Sequence, residues 1–280
     1  MRNNMSEPLV SIIVPTKNSS ATLTDCLSSI ANQSYSNIEL IVVDNFSDDT
    51  TPNIAKKFTK NFFSKGPERS AQRNFAVSKA SGKYICLIDS DMNLDESVVA
   101  ECVELMEGNT NIAGVIIPEE SFGEGFWANC KHLERSFYIG VPYMEAARFF
   151  KRIDFNKVKG YNFAMVSGED WDLSQRMEVF GRLARTPSFI HHNEGKISLF
   201  KTVKKKYYYA TRFASYTSNS KSRDKVTQQV SILGRYRLFF SKPKQLFANP
   251  LLGLGMLFMK TCEFGFGAAG YIVARMRKTL

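Results

Sequence analysis

Continuous apolar runs alternate with helix-spaced apolar positions along the N-terminal part of the chain. Runs typical of strands buried on both faces of a sheet lie at residues 10–15, 38–43, 84–88 and 112–117. Between them, apolar residues at helical spacing predict helices at residues 22–30, 49–58, 70–80 and 95–106. This alternation predicts an α/β fold, an open and mostly parallel sheet with helices on both faces.

The regular alternation of strand and helix patterns ends after residue 117. Residues 118–167 mix glycine with aromatic residues and contain one helix-like stretch and a strand-like run near 151–155. A helix at 168–180 and a last strand at 188–191 follow, and from residue 199 onward the pattern favours helices only. We therefore predict a domain over residues 1–198, with 118–167 as an insert, and a helical C-terminal extension over 199–280.

Composition narrows the class of protein. The chain has 280 residues, of which 44% are hydrophobic and 23% charged, values that exclude a disordered or collagen-like chain. Five scattered cysteines without a CxxC pair argue against a zinc ribbon, a disulfide scaffold or a thioredoxin-type site, and favour a reducing cytoplasm. The apolar run at 9–14 is too short for a signal peptide and is predicted to be the first strand.

The charge is distributed unevenly. The net charge is +10, yet residues 201–280 carry 16 lysines and arginines against two acids, while residues 1–200 are slightly acidic. Such a segment favours polyanions, namely nucleic acid, anionic lipid headgroups or phosphorylated substrates. The alternative is a solvated basic face that has no partner.

An apolar stretch at residues 251–274 has the length of a membrane span. Lys260 and Glu263 interrupt it near its middle, where a charge is costly in a bilayer, and its glycines weaken the helix prediction. We favour an interfacial or monotopic segment over a buried or oligomer-packing helix, and either of these over a span.

Polar residues follow three of the predicted strands, at the sheet edge where open α/β folds bind ligands. They are Pro15-Thr16-Lys17-Asn18, Asp44-Asn45 and Asp89-Ser90-Asp91. The paired acids of the last group suit Mg²⁺ or Mn²⁺ held together with substrate phosphates. A GxxxxGK[ST] loop is absent from the sequence, and the GxGxxG at 265–270 follows no predicted strand. Phosphate neutralisation then falls to a metal and to side chains such as Arg69 and Arg73.

Two further groups carry candidate chemistry. Glu169, Asp170 and Asp172 open a predicted helix, where they either complement the helix dipole or supply a general base from Asp170. His191 and His192 end the last predicted strand as a structural or exposed pair, unless one of them completes a metal site begun by Asp91.

Taken together, these segments resemble the inverting GT-A glycosyltransferases of family 2. The resemblance covers residues 9–195 and rests on VSIIVPTKN, IVVDNFSDDTT, RSAQRNFAVSKASGKYICLIDSDM and GEDWDLSQR, in the family's order and spacing. It implies a GT-A, Rossmann-like domain over 1–198 that binds a nucleotide sugar, with 118–167 on the acceptor side. The sequence departs from the common pattern at Asn45-Phe46, where Asp-Gly is usual.

The resemblance also implies roles for individual residues. The nucleotide would be held by Pro15, Thr16, Asn18 and Asp44, with Asp48 nearby, and its diphosphate would be approached by Arg73 and Arg69. Asp89 would contact the ribose, while Asp91 and His192 would bind Mn²⁺ or Mg²⁺. Asp170 would act as general base with Glu169 in support, in a single displacement that inverts the anomeric carbon.

The expected protein is a hexosyltransferase-type enzyme, peripheral or monotopic on the cytoplasmic membrane face. Its expected partners are a UDP or GDP sugar, a glycan or lipid-linked acceptor and an anionic membrane surface, without nucleic acid, and a homo-oligomer through the C-terminal helices is possible. Trp127, Phe137, Tyr138 and Tyr143 form either an acceptor wall or core. The competing hypotheses are a nucleotidyltransferase and a nucleic-acid-binding protein that uses the lysines and tyrosines of 204–209.

Overall fold

The computed structural model describes residues 7–165, 168–212, 229 and 231–276. The chain separates into two compact units. The first comprises Met1–Pro118, Ala147–Phe163 and Leu173–His191, and the second comprises Glu119–Ala146, Ala164–Asp172 and His192–Leu280. These units are defined by compactness. The assignment of residues 1–198 to a catalytic domain and of 199–280 to a helical extension stays a prediction.

The first unit is built on a seven-stranded sheet of strand order β3-β2-β1-β4-β8-β6-β9. These strands are β1 (Val10–Thr16), β2 (Ile38–Asp44), β3 (Phe62–Ser64), β4 (Tyr84–Leu87), β6 (Ile112–Ile116), β8 (Ala147–Lys151) and β9 (Arg182–Arg185). The short strand β5 (Met92–Leu94) follows β4 along the chain. Strands β3, β2, β1 and β4 run parallel, as do β6 and β9, whereas β8 runs antiparallel between β4 and β6.

Helices cover both faces of this sheet. They are α1 (Leu23–Ala31), α2 (Thr51–Phe58), α3 (Arg69–Lys79), α4 (Val98–Gly108), α6 (Arg152–Lys157) and the end of α7 (Glu169–Met177). One apolar core joins Ile12 and Val14 of β1 to helices α1 and α4, and a second joins Ile13 to α3 and α7. Successive residues of β1 thus point into opposite cores, which confirms the predicted mostly parallel α/β sheet.

Strand β8 is where the sequence prediction was wrong. The strand-like run expected near 151–155 is helix α6, and the strand lies at Ala147–Lys151. Phe149 and Phe150 explain the shift, because each is fully buried and the two belong to the two opposite cores. The last strand, β10 (Ile190–Lys196), also begins later and runs further than the predicted 188–191.

The second unit is mainly helical. It contains β7 (Glu119–Glu124), which lies beside β10 in a small sheet, and the helices α5 (Phe126–Ser136), α8 (Leu199–Arg212), α9 (Ile232–Phe240), α10 (Pro243–Leu246) and α11 (Pro250–Met276). Among described residues after 198 only helices occur, as predicted. The first part of the helix expected at about 227–240 falls largely outside the described residues, and the described helix is α9.

Helix α11 runs unbroken through its glycines, two of which pack closely against neighbouring elements. A Cβ on Gly255 would lie 2.4 Å from the Phe126 ring of α5, and one on Gly253 would lie 2.3 Å from the Leu246 carbonyl oxygen. Within the described residues, 250–274 is the one helical stretch that has the length and apolar composition to cross a membrane, which by itself is weak evidence for a span.

Candidate active site

The carboxyl ends of β1 and β2 lie side by side in the sheet. Thr16 pairs with Asp44 in the parallel register, and its Oγ1 donates a 2.9 Å hydrogen bond to Asp44 Oδ1. Ser47 adds two bonds to the same carboxylate, from its backbone N–H at 2.8 Å and from its hydroxyl at 2.5 Å. Asp44 is almost fully buried and therefore holds the two strand ends in one arrangement.

The loop after β1 is locked to the loop after β2. Asn18 adopts a positive φ of 49°, which asparagine tolerates better than most residues. Its backbone N–H donates to the Ser47 hydroxyl at 2.8 Å, and its side-chain oxygen accepts from the Asp48 N–H at 3.1 Å. Pro15 lies just before this turn, in the buried last part of β1. Four of the predicted nucleotide-binding positions, Pro15, Thr16, Asn18 and Asp44, are thereby brought together.

Asp89 follows β4 and is surrounded by arginines. Arg73 of α3 is fully buried and places Nη2 2.5 Å from Asp89 Oδ1, while Arg148 of β8 places Nη1 3.8 Å from Oδ2. Burial alone would raise the pKa of Asp89, but the positive charges of Arg73, Arg148 and Arg69 outweigh it and hold that pKa well below its usual range. Asp89 is consequently ionised at physiological pH and fixed in position.

Asp91 lies two residues further along, on the same loop. Ser90 Oγ is 2.8 Å from Ser19 Oγ, which ties this acidic loop to the loop that follows β1. Burial raises the pKa of the Cys26 thiol, and the negative charge of Asp91 raises it further. The predicted nucleotide-binding groups, Asp91 and the arginines thus all lie at one edge of the first unit's sheet.

The described residues contain no cluster of three or more His, Cys, Asp or Glu side chains that could enclose a metal by themselves. Mg²⁺ and Mn²⁺ sites often consist of one or two carboxylates completed by substrate phosphates and water. The half-exposed carboxylate of Asp91 fits that kind of open site, which protein side chains alone do not complete.

Glu169 and Asp170 belong to the second unit, at the first turn of α7. Glu169 is buried and Asp170 half-buried. The neighbouring Trp171 donates from its indole N–H to the Met144 carbonyl at 3.3 Å, which anchors this turn. The position suits both hypotheses, a complement to the helix dipole and a base held at a helix start.

The two histidines have different surroundings. His191 Nε2 lies 2.8 Å from Asp95 Oδ1, within the first unit. His192 belongs to the second unit, where its Nδ1 lies 3.9 Å from Glu119. Glu119 in turn pairs with Arg135 at 2.9 Å. The preference for His192 over His191 as a metal ligand agrees with the engagement of His191 by Asp95, and it stays a prediction.

Comparison with known protein families identifies the family to which these residues at the sheet edge belong. Residues 11–167 match the model of glycosyl transferase family 2. The chain belongs to this family. A protein of Mycobacterium bovis described as a PGL/p-HBAD biosynthesis glycosyltransferase is 29% identical over 202 residues, covering 67% of this chain and 75% of the relative.

Other relatives align over shorter segments. An uncharacterized glycosyltransferase of Haemophilus influenzae is 42% identical over 96 residues, which span 31% of this chain and 38% of that protein. The putative glycosyltransferase EpsH of Bacillus subtilis is matched over 27% of its own length. The chain thus spans well under half of these two curated relatives.

Solved structures share the GT-A fold with this family 2 chain. The mannosyltransferase PcManGT of Pyrobaculum calidifontis superimposes with a TM-score of 0.59 at 16% identity, covering 97% of this chain and 87% of that one. TarS of S. aureus gives a TM-score of 0.55 at 16% identity, with coverage of 96% and 91%. The fold predicted from the sequence is confirmed.

Two residues at the candidate site were not predicted from the sequence. Arg148 reaches Asp89 from β8, and Gln72 donates from Nε2 to the carbonyls of Thr16 and Val43 at 2.9 and 2.7 Å. A signal for Arg148 was available, because a charged residue inside the apolar run ARFF must find a partner when the strand is buried. Gln72 carried no such signal.

The sequence allowed two interpretations of the aromatic residues in the 118–167 segment, an acceptor wall or a core, and the structure places several of them in or against a core. Phe137 is fully buried against Phe239, with ring centroids 5.4 Å apart, and Tyr138 packs on the same ring while donating to Glu134. Phe137 is a core residue of the second unit, and Tyr138 and Trp127 are partly buried and pack against that core. Tyr143 is not among the residues of this core.

Proposed function

We propose that this chain transfers a sugar from a nucleoside-diphosphate sugar to an acceptor hydroxyl with inversion at the anomeric carbon. The observation that carries the proposal is the arginine-held Asp89 beside the Thr16–Asp44 pair, at the ligand-binding edge of a family 2 sheet. The solved neighbours support the donor class, since PcManGT was determined with GDP-Man and Mn²⁺ and TarS with UDP-GlcNAc. A UDP or GDP sugar is the proposed donor.

In this proposal the strand ends hold the nucleoside. Pro15, Thr16, Asn18 and Asp44 shape the pocket for the base, and the ionised Asp89 accepts hydrogen bonds from the ribose hydroxyls. Arg73 keeps Asp89 charged and oriented, and it approaches the diphosphate side of the donor together with Arg69. Arg69 is exposed at the start of α3, where its guanidinium can meet a phosphate.

Asp91 is the proposed protein ligand of Mn²⁺ or Mg²⁺, with the donor diphosphate completing the site and His192 as a further ligand. A bound divalent ion would neutralise charge on the departing diphosphate. The half-exposed carboxylate of Asp91 and the need for substrate oxygens in such a site support this assignment.

Asp170 is the proposed general base. It takes the proton of the acceptor hydroxyl as that oxygen forms a bond to the anomeric carbon, while the carbon–oxygen bond to the diphosphate breaks on the opposite face. Glu169 supports Asp170 from the adjacent position on α7. The acceptor is proposed to be a glycan or a lipid-linked sugar.

Calorimetric titration with UDP, GDP and CDP, in the presence and absence of Mn²⁺, tests the site. We expect micromolar binding of one nucleotide that requires the metal and weakens about 100-fold or more in Asp91→Ala, because the diphosphate loses its bridging cation. Asp25→Ala, at an exposed acid of α1, is the control that removes the same charge and should bind as wild type.

Nucleotide binding that ignores both the metal and Asp91 would contradict the metal assignment. Absence of binding by any of the three nucleotides would contradict the glycosyltransferase proposal itself.

A further inference from the structure

Helix α11 turns its charges toward the interior of the second unit. Lys260 and Glu263 are 4% and 3% exposed. Lys260 Nζ lies 2.5 Å from Glu134 of α5 and 2.8 Å from Glu263. Lys131 of α5 adds contacts of 2.8 Å to Glu134 and 3.4 Å to Glu263. The two charges that interrupt the apolar stretch are therefore neutralised by partners on a neighbouring helix.

The opposite side of the helix is apolar and exposed. At about 3.6 residues per turn, its large exposed side chains fall within about one third of the helix circumference, and they are Leu251, Leu254, Phe258, Phe266, Ile272 and Met276. Over residues 250–274, all of which the structure describes, no exposed position carries a charge. A 27-residue helix is about 40 Å long, so this apolar side is a stripe along a whole edge of the unit. We call it the outer face of α11.

This arrangement reverses the usual one for a surface helix, which buries its apolar side and exposes its charges. An apolar patch of this extent on a folded protein marks an interaction surface. The neighbouring segments add exposed apolar side chains, namely Ile232, Leu233, Phe240 and Phe247.

Other segments of the C-terminal region expose basic residues. The described part of the C-terminal region exposes Lys201, Lys204, Lys205, Lys206, Arg237, Lys242 and Lys244. Its one acid among the described residues from 199 to 276 is Glu263, which is buried. The exposed charge of these described residues is thus entirely positive. A second copy docked on the same region would bring positive charge against positive charge, whereas an anionic lipid surface is complementary.

We infer that the outer face of α11 lies in the interfacial layer of an anionic membrane, with the helix parallel to the bilayer plane. Binding at an anionic membrane interface scales with the apolar area buried and with the attraction of lysines and arginines to the lipid; here α11 supplies the apolar area and other segments of the C-terminal region supply the cations. A span does not fit, because the inner side of α11 carries the buried ion cluster. Gly270 also packs against the Tyr207 backbone of α8, a helix whose lysines are exposed. This inference rests on the proposed function and extends it by placing the transferase at the surface that holds a lipid-linked acceptor.

Sedimentation of the full chain with lipid vesicles tests the inference. Vesicles of phosphatidylcholine alone are compared with vesicles that also contain phosphatidylglycerol, at low and high salt. We expect wild type to sediment with the anionic vesicles, and Leu254→Ser with Ile272→Ser to weaken that binding about tenfold or more. The matched control is Ile153→Ser with Val179→Ser, two comparably exposed apolar residues of the first unit, which should leave binding unchanged.

A second pair of variants tests the charge. Lys242→Gln with Lys244→Gln should weaken binding several-fold and reduce its salt dependence, because each lysine near the surface adds attraction. Lys57→Gln with Lys60→Gln removes the same charge from the first unit, where both lysines are exposed, and should bind as wild type.

Failure of wild type to sediment would overturn the inference, as would equal losses in the control variants. Self-association that the Leu254/Ile272 variant abolishes, without vesicle binding, would assign the face to a second copy. Binding insensitive to that variant but displaced by an RNA oligonucleotide would assign the basic residues to nucleic acid. Nucleotide titrations on the same samples distinguish a failure of this inference from a failure of the proposed function. Vesicle binding without nucleotide binding would contradict the proposed function and leave the membrane-binding surface supported.

Discussion

At the scale of single residues, the site depends on a carboxylate, that of Asp89, which is largely buried and yet ionised. Without Arg73 the pKa of Asp89 would rise, because burial disfavours charge and only Arg148 and Arg69 would remain to oppose it. Arg73 itself is fully buried, with its guanidinium over the Tyr161 ring at 5.0 Å. The charges of Arg73 and Asp89 compensate each other, and Arg148 adds to the compensation of Asp89.

Arg73→Gln should lower the free energy of unfolding by about 3 kcal/mol, since it removes the closest of the arginines that compensate the largely buried charge of Asp89. Urea unfolding measures the loss. Arg182→Gln, at an exposed arginine of β9, is the control and should change the free energy of unfolding by less than about 0.5 kcal/mol. Equal effects of the two substitutions would show that Arg73 does not compensate the buried charge of Asp89.

The same variant makes a prediction about pH. The pKa of Asp89 is lower in the folded chain than in the unfolded one, so its contribution to stability is complete above the unfolded value of about 3.9 and is lost as the pH falls below it. The difference in unfolding free energy between wild type and Arg73→Gln should be constant near neutral pH and shrink on acidification. A difference in unfolding free energy that grows toward low pH would contradict the proposal that Arg73 stabilises the ionised form of Asp89.

At the scale of elements, α11 shows that glycines in one helix can have different roles. Gly265 and Gly270 belong to the same GxGxxG sequence, which lies inside a helix and follows no strand. A Cβ at Gly270 would lie 2.5 Å from the Tyr207 carbonyl oxygen, whereas one at Gly265 would meet nothing within 4 Å. Gly270 therefore permits close packing against α8, and Gly265 has no such contact.

Gly270→Ala should destabilise the chain by about 1–3 kcal/mol, because backbone must move to admit the methyl group. Gly265→Ala should stabilise it by up to about 1 kcal/mol, the gain in helix propensity. Thermal or urea unfolding of the two variants measures both effects. Destabilisation by Gly265→Ala to the same extent would show that packing does not distinguish them.

At the scale of the whole molecule, the proposed site and the outer face of α11 are expected to be independent in binding and coupled in catalysis. The substitutions Leu254→Ser and Ile272→Ser leave every proposed nucleotide-binding residue intact. They should not change nucleotide affinity or transfer to a water-soluble acceptor. Transfer to an acceptor embedded in anionic vesicles should fall about tenfold, in line with the lost membrane binding.

Steady-state rates with the two acceptors measure this separation. An equal loss with both would show that the substitutions disturb the catalytic site, and no loss with either would show that membrane binding is irrelevant to turnover. The Ile153/Val179 control should behave as wild type with both acceptors.

Much of the first unit follows from local sequence. Buried parallel strands read as apolar runs, and the residues that follow them must meet at one sheet edge, so Thr16, Asp44 and Asp89 were predictable as neighbours. Strand β8 was misplaced because apolar and charged residues are mixed over 147–155, a pattern that is compatible with a strand at more than one position. Its antiparallel insertion between β4 and β6 depends on contacts that no local pattern records.

The sequence by itself determined the α/β alternation, the acids at the strand ends and the basic C-terminal region, because periodicity and charge are local properties of the chain. Only the tertiary structure decided that Arg148 supports Asp89 and that Lys260 and Glu263 face inward. Those outcomes depend on partners distant in sequence, such as Glu134, which is 126 positions from Lys260. Because buried ion pairs fix one side of α11 in the interior, its apolar side is exposed. The sequence could not distinguish a buried helix, a span and an interfacial segment, whereas the tertiary structure shows an exposed apolar surface.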